Sequence, residues 1–173
     1  MKKPLVMIVS LLALNGCIFA GESLDIKGDF GSALKNGMPA GWEPNKPVYW
    51  EDGETIVSLN AVEGTEKNAL QVTSQTKAVH LYTNKKWPVA TGDQSVIKAM
   101  VKGTGNGQLG VYTYPGGGYI SKTFQATGEW AEFIAEVIIP KIREGEIDEI
   151  RAVIAVSPGS SIEFMDVTAE IVK

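Results

Sequence analysis

The stretch SVIKAMVKGTGNGQLGVYTYPGGGYISKTFQ, residues Ser95–Gln125, carries the reading of the fold. Successive side chains on a strand point to opposite faces. Within Ser95–Lys102, Ile97, Ala99 and Val101 therefore share one side, and Lys98 and Lys102 the other. Within Gln108–Tyr114, Leu109 and Val111 face one way, which leaves Gln108, Tyr112 and Tyr114 on the opposite face. Between these runs, Gly103, Gly105 and Gly107 offer the positive φ angles of a tight reversal, and Pro115-Gly116-Gly117-Gly118 does the same before Tyr119–Gln125. The pattern predicts a meander of three neighbouring strands, each apolar on one face.

The same alternation extends outward from this stretch. Thr55–Asn60, Ala69–Ser74, Ala78–Thr83, Ile150–Val156 and Ser161–Val172 read as further strands, rich in the β-branched and aromatic residues that pack on a pleated surface. In Trp130–Ile139, Ala131, Phe133, Ala135, Val137 and Ile139 form a clean apolar face opposite Glu132 and Glu136. One-sided burial means antiparallel sheets with a wet outer face, and many short strands separated by turn residues mean a sandwich or barrel. The only helical spacing, Ile142, Glu146 and Glu149 within Pro140–Glu149, reads as a charged loop with at most one turn.

The first residues have a different character. Lys2 and Lys3 precede an uncharged run from Leu5 to Leu14, followed by small and polar residues, the three-part layout of a bacterial secretion signal over residues 1–20. The run is about half of the roughly 20 residues a membrane-spanning helix needs, so no membrane span is expected. Two cleavage readings stay open: Ile18-Phe19-Ala20 as a small-residue site, or Leu14-Asn15-Gly16-Cys17 as a lipobox with Cys17 as lipid attachment point. The expected location is accordingly periplasmic, extracellular or anchored to an outer membrane. Cys17 is the sole cysteine, so residues 21–173 form one domain without a disulfide, stabilised by packing alone. Without Lys2 and Lys3 the net charge moves from −4 to −6. An acidic domain lacks the basic face that nucleic acid requires. Nothing in the sequence sets an oligomeric state.

At this point the chain resembles the galactose-binding-like jelly-roll domains, especially the carbohydrate-binding modules of bacterial polysaccharide-degrading enzymes. The likeness is carried by the order of Gly28-Asp29-Phe30, Gly37-Met38-Pro39-Ala40-Gly41-Trp42, Ala69-Leu70-Gln71-Val72-Thr73, the Lys-Gly turn closing VIKAMVKG, Gly128-Glu129-Trp130, and Ile162-Glu163-Phe164-Met165-Asp166-Val167. The resemblance implies an all-β jelly-roll sandwich of two antiparallel sheets, with Trp42 and Trp130 packing the core. It also implies no required cofactor, but a structural calcium in some relatives, for which Asp29 and Asp166 stand in matching regions. Gly31 stands where such relatives commonly carry an acid, and the other reading of the two aspartates is a turn cap and a strand-edge acid.

Sugar recognition needs flat apolar surfaces that stack on pyranose rings, with polar groups placed to meet hydroxyls. Alternation places His80 and Tyr82 opposite Val79 and Leu81, so His80, Tyr82, Gln108, Tyr112 and Tyr114 make the candidate ligand-binding patch, with Lys98 able to join it. Trp50 and Trp87 read as exposed loop indoles, Trp87 beside Pro88 being the better candidate. Catalysis finds few parts: one histidine, no cysteine after Cys17, no Gly-x-Ser-x-Gly elbow, and no Gly-Lys-Ser after the glycines of 103–107. Glu51, Asp52 and Glu54 could supply a glycosidase pair, and Glu144, Glu146, Asp148 and Glu149 read as a solvated face. The expectation is a non-catalytic module that binds a polysaccharide or glycan. The alternatives are a structural or adhesive envelope protein and, third, a small glycan-active enzyme.

Overall fold

The computed structural model describes residues 21–45, 54–115, 118–141 and 148–173. Residues 1–20, read as a secretion signal and including Cys17, the pair Trp50 and Glu51 with Asp52, and the acids Glu144 and Glu146 lie outside the described residues. Within them the chain is antiparallel β throughout, and the helical spacing near Pro140 corresponds to no helix among the described residues: Pro140 and Lys141 are irregular and Glu149 already begins a strand.

Eleven strands follow in order: β1 Glu22–Leu24, β2 Trp42–Pro44, β3 Thr55–Ala61, β4 Asn68–Ser74, β5 Val79–Thr83, β6 Trp87–Pro88, β7 Gln94–Tyr114, β8 Gly118–Thr127, β9 Ala131–Ile138, β10 Glu149–Val156 and β11 Ser160–Val172. The reversal expected at Gly103–Gly107 does not occur. Instead, β7 runs 21 residues straight through those glycines and serves both layers of the sandwich. Its N-terminal half pairs with β9 and β11, and its C-terminal half with β8 and β10. One layer is therefore ordered β2-β5-β10-β7-β8 and the other β3-β4-β11-β7-β9, with β1 added to β11 and β6 to β10.

Glycine is required here for close approach rather than for a turn. A Cβ on Gly103 would lie 2.1 Å from the carbonyl oxygen of Ser161, and one on Gly105 would lie 2.2 Å from the Ser160 hydroxyl oxygen. Both also hold positive φ, 138° and 92°. Strands that change sheet do so at such bends. The second predicted turn is realised: β7 and β8 form a hairpin with Thr113 opposite Gly118 and Tyr112 opposite Tyr119.

Between the layers, Leu70, Ile97, Val101, Ile162 and Phe164 from one meet Leu81, Leu109, Val111, Ile150 and Ile154 from the other. Burying such side chains is worth about 1.5–3 kcal/mol each, and with no disulfide this is what holds the domain. Trp42 packs in this core as expected. Trp87 corrects the expectation of an exposed indole: pairing with Ile150 through β6 turns it inward, and it is 5% exposed within the core. Trp130 corrects it in the other direction. It precedes β9 at the sheet margin, half-buried, with the Lys102 ammonium 6.0 Å from its ring. Ala131 at the same margin is exposed, so the apolar face of this segment begins at the partly buried Phe133.

The bend in β7 predicts a contrast between glycines. Gly37 has φ of 76° with no atom near its missing side chain, so Gly37→Ala should cost about 1–2 kcal/mol of backbone strain. Gly103→Ala must also move the β11 backbone and should cost about 3 kcal/mol or more in urea unfolding. Equal losses would show that β11 does not press on β7 at this point.

Candidate functional site

The outer face of the β2-β5-β10-β7-β8 layer collects the predicted residues. Register places His80 opposite Ala155 and Gln108, Tyr82 opposite Val153 and Gly110, and Arg151 opposite Tyr112, which is itself opposite Tyr119. Glu149 stands opposite Tyr114, and Glu43 on β2 opposite Tyr82.

That face is concave, and one side chain demonstrates it. β8 and β5 are three strand intervals apart, about 14 Å in a flat sheet. Yet the Tyr119 ring on β8 stacks on His80 at 4.5 Å and on Tyr82 at 5.8 Å, and its hydroxyl accepts a hydrogen bond from Asn45 Nδ2 at 3.1 Å. Only a curled sheet brings them together. Gly110 permits the curl, since a Cβ there would lie 2.2 Å from the carbonyl oxygen of Ile120 and 2.6 Å from Ser121 Cα. Under the rings, Val153 and Ala155 are buried although they face away from the core.

The five aromatic rings form one assembly with distinct parts. Tyr82 is 5% exposed, edge-on to Tyr112 at 5.3 Å and roughly parallel to Tyr119. It is on the predicted face, but it is a foundation for its neighbours and offers no free ring, which corrects its expected role as a stacking platform. Tyr112 sits at the centre, touching Tyr82, Tyr114 at 4.9 Å and Tyr119 at 5.1 Å. Tyr114 is half-buried and carries the Lys86 ammonium 4.1 Å over its ring, with Lys86 also bound to Glu149 at 3.0 Å. Gln108 Oε1 accepts from the Ser121 hydroxyl at 2.9 Å. His80 is half-buried, and desolvation lowers its pKa from the ordinary value of 6.5, favouring the neutral imidazole. Burial pushes the Tyr119 phenol up to about 12.

Tyr119, 40% exposed, was not among the residues read from sequence. Counting outward from the Pro115–Gly118 turn would have placed it beside Tyr112. Asn45, Glu43, Lys86 and Arg151 carried no comparable signal, because their place depends on pairing between distant strands. Arg151 is the structural hub of that group: its Nη2 lies 2.6 Å from Glu43 and donates to the carbonyl of Asn84 at 3.2 Å, and its guanidinium carbon lies 6.0 Å from the Tyr82 ring centroid. Lys98 does not join the patch, being on the half of β7 that belongs to the other layer, 3.8 Å from Glu170. Trp87 is absent from it as well, since it lies in the core.

The two aspartates considered for calcium flank one cleft, where Val167 donates to the Gly28 carbonyl at 3.0 Å beside a bulge in β11. Asp166 is taken up by Lys67 at 2.6 Å, and the adjacent Asp25 by Lys27 at 2.9 Å. Among the described residues no group of three or more acidic, histidine or cysteine side chains gathers there or elsewhere. Calcium asks for six to eight oxygens, and these side chains do not fit it.

No family model and no curated protein sequence matches the chain. Solved structures share its fold. The chain superposes on the Stig cyclase Fisc from Fischerella sp. TAU, solved with a pyrrolidinylidene-indole, at TM-score 0.64 and 9% identity, covering 88% of this chain and 98% of that one. It superposes on a family 29 carbohydrate-binding module at TM-score 0.52 and 14% identity, covering 88% and 93%; a variant of that module was solved with mannohexaose. An arabinose-bound α-L-arabinofuranosidase matches at TM-score 0.58 and 12% identity over 91% of this chain, which spans only 27% of the enzyme. The chain thus has the β-sandwich jelly-roll fold that these structures share, two antiparallel layers joined through β7.

Proposed function

We propose that this chain is an exported, non-catalytic protein that binds a neutral polysaccharide or glycan on the concave face of its β2-β5-β10-β7-β8 layer. The observation that carries the reading is the merging of Tyr112, Tyr114, Tyr119 and His80 into one partly exposed aromatic surface inside a curled sheet. Such a surface is apolar enough to stack on sugar rings, and its phenol and amide groups can meet hydroxyls. The charges support a neutral ligand. Glu43 is held by Arg151 and Glu149 by Lys86, so these acids and bases of the face already have partners. The same pairing leaves those acids poorly placed as a glycosidase couple, which needs one free proton donor and one free carboxylate.

Export is inferred from the charged start and short apolar run of residues 1–20, with release after Ala20 or lipid attachment at Cys17 as the two routes; the mass of the purified mature protein distinguishes them. Among the described residues no helix is long and apolar enough to cross a membrane. The adhesive alternative has one observation in its favour: Ile134 and Ile138 on β9, which pairs only with β7 among the described strands, are 43% and 67% exposed. An exposed apolar strand edge invites a second chain.

Affinity electrophoresis against soluble xylan, mannan and β-glucan, followed by calorimetry with the retained polymer, tests the carbohydrate reading. Tyr112→Ala should weaken binding at least about tenfold, because it removes both a stacking ring and the contact that orients Tyr114. Tyr114→Ala should cost only about two- to threefold, since Lys86 already covers one part of its ring. Retention of full affinity in folded Tyr112→Ala, or no retardation of the wild type by any of the polymers, overturns the reading.

His80 adds a pH dependence whose sign is fixed by its environment. Its folded pKa lies below the unfolded value of 6.5, so the unfolded state binds more protons as pH falls. Stability should therefore decline below about pH 6.5, and His80→Gln should remove that part of the decline when urea midpoints at pH 7.5 and 5.0 are compared. Identical pH slopes in the two proteins would show that the imidazole is not desolvated by the aromatic assembly.

A further inference from the structure

Tyr82 presents an anomaly that the packing of the rings does not explain. Its side chain is buried beneath Tyr112 and Tyr119, yet its hydroxyl has no hydrogen-bond partner among the described residues. A buried, unpaired hydroxyl costs about 1–3 kcal/mol, and phenylalanine would keep every ring contact without that cost. The neighbouring Arg151 shows the same defect. Two of its contacts are satisfied through Nη2, while its buried Nε has no acceptor among the described residues. The two unsatisfied polar atoms thus belong to diagonal neighbours on the concave face, the Arg151 guanidinium carbon lying 6.0 Å from the Tyr82 ring centroid.

Of the two rings packed on Tyr82, Tyr112 meets it edge-on and Tyr119 lies flat against it. Tyr119 reaches over from β8, lies roughly parallel to Tyr82 at 18° and to His80 at 28°, and is fastened on the far side by Asn45 Nδ2. Apart from those ring contacts, its hydroxyl has that one side-chain hydrogen bond to hold it. Tyr119 is therefore a ring stacked on two others and clasped at its tip, on a strand that among the described strands pairs only with β7.

We propose that Tyr82 and Arg151 are the groups that recognise a sugar hydroxyl, and that Tyr119 is a latch over them which the incoming saccharide displaces. On entry, the sugar ring takes the place of the Tyr119 ring against His80 and Tyr82. Its hydroxyl then accepts from Arg151 Nε and exchanges a hydrogen bond with the Tyr82 hydroxyl, so the free protein's two orphaned groups become satisfied in the complex. Displacing Tyr119 costs its ring contacts and the Asn45 bond, so affinity reflects the difference between the two stackings. A saccharide able to fill the space below and supply the hydroxyl is thereby favoured over one that only lies across Tyr112. The inference rests on the carbohydrate reading but makes separate demands.

Three variants separate the possibilities, measured by calorimetry with xylohexaose and mannohexaose and by thermal unfolding without ligand. Tyr82→Phe should keep or raise the melting temperature while weakening hexaose binding roughly tenfold, a combination that a purely structural tyrosine would not give. Asn45→Ala, which releases the latch, should bind about fivefold more tightly than wild type, the size of one hydrogen bond. In the free protein, Asn45→Ala should also make the Tyr119 ring more accessible, read by mass spectrometry as faster nitration at Tyr119 than in wild type. Loss of stability in Tyr82→Phe without loss of binding would overturn the recognition role. Equal weakening by Asn45→Ala and Tyr112→Ala would make Tyr119 a platform and overturn the latch, leaving the carbohydrate reading intact. If neither hexaose binds wild type or Asn45→Ala, the carbohydrate reading fails with these ligands and the recognition role with it, while an unchanged rate of Tyr119 nitration in Asn45→Ala independently overturns the latch.

Discussion

Everything in this domain depends on how closely β7 is approached by its neighbours at positions without side chains. At Gly103 and Gly105 the β11 backbone and Ser160 occupy the space where a Cβ would be, so one strand can leave one layer and enter the other. At Gly110, further along the same strand, the β8 backbone moves in on the opposite side and the sheet rolls up. The first approach makes a sandwich, and the second makes its outer face concave. Both are steric permissions, which a single methyl group would withdraw.

The curl converts a set of ordinary tyrosines into an assembly. Aromatic pairs contribute about 0.5–1.5 kcal/mol beyond the area they bury, and Tyr112 alone makes three such contacts. The outward-facing Val153 and Ala155 are small enough to let rings lie flat over them. This second apolar cluster is built on the surface of the sheet and remains partly open, and a binding face needs both properties. A core must be closed, whereas a recognition surface must hold its rings rigid and still leave part of them uncovered.

Charge has a limiting role. The ion pairs around the site are mostly exposed and contribute little to stability, Arg151 being the exception with its largely buried side chain. Their effect is to neutralise the face in pairs, Glu43 with Arg151 and Glu149 with Lys86. The chain as a whole carries a net charge of −4.

The alternation of apolar and polar residues by itself determined most of the longer strands, the apolar faces within them and the grouping of His80, Gln108, Tyr112 and Tyr114 outside the core, because side-chain direction on a strand is a local property of period two; the short β1, β2 and β6 carried no such pattern. The hairpin around Pro115–Gly118 was equally local, and Tyr119 was legible through it. Three things were decided only by the tertiary structure. Whether Gly103–Gly107 turned or bent depended on β11 arriving beside it, since glycine permits either. Whether Trp87 and Trp130 were buried depended on β6 pairing with β10 and on where β9 began. And Tyr82, correctly placed on its face, became inaccessible because a curl at Gly110 carried Tyr119 across from a strand three intervals away, a long-range closure that no nearest-neighbour pattern encodes.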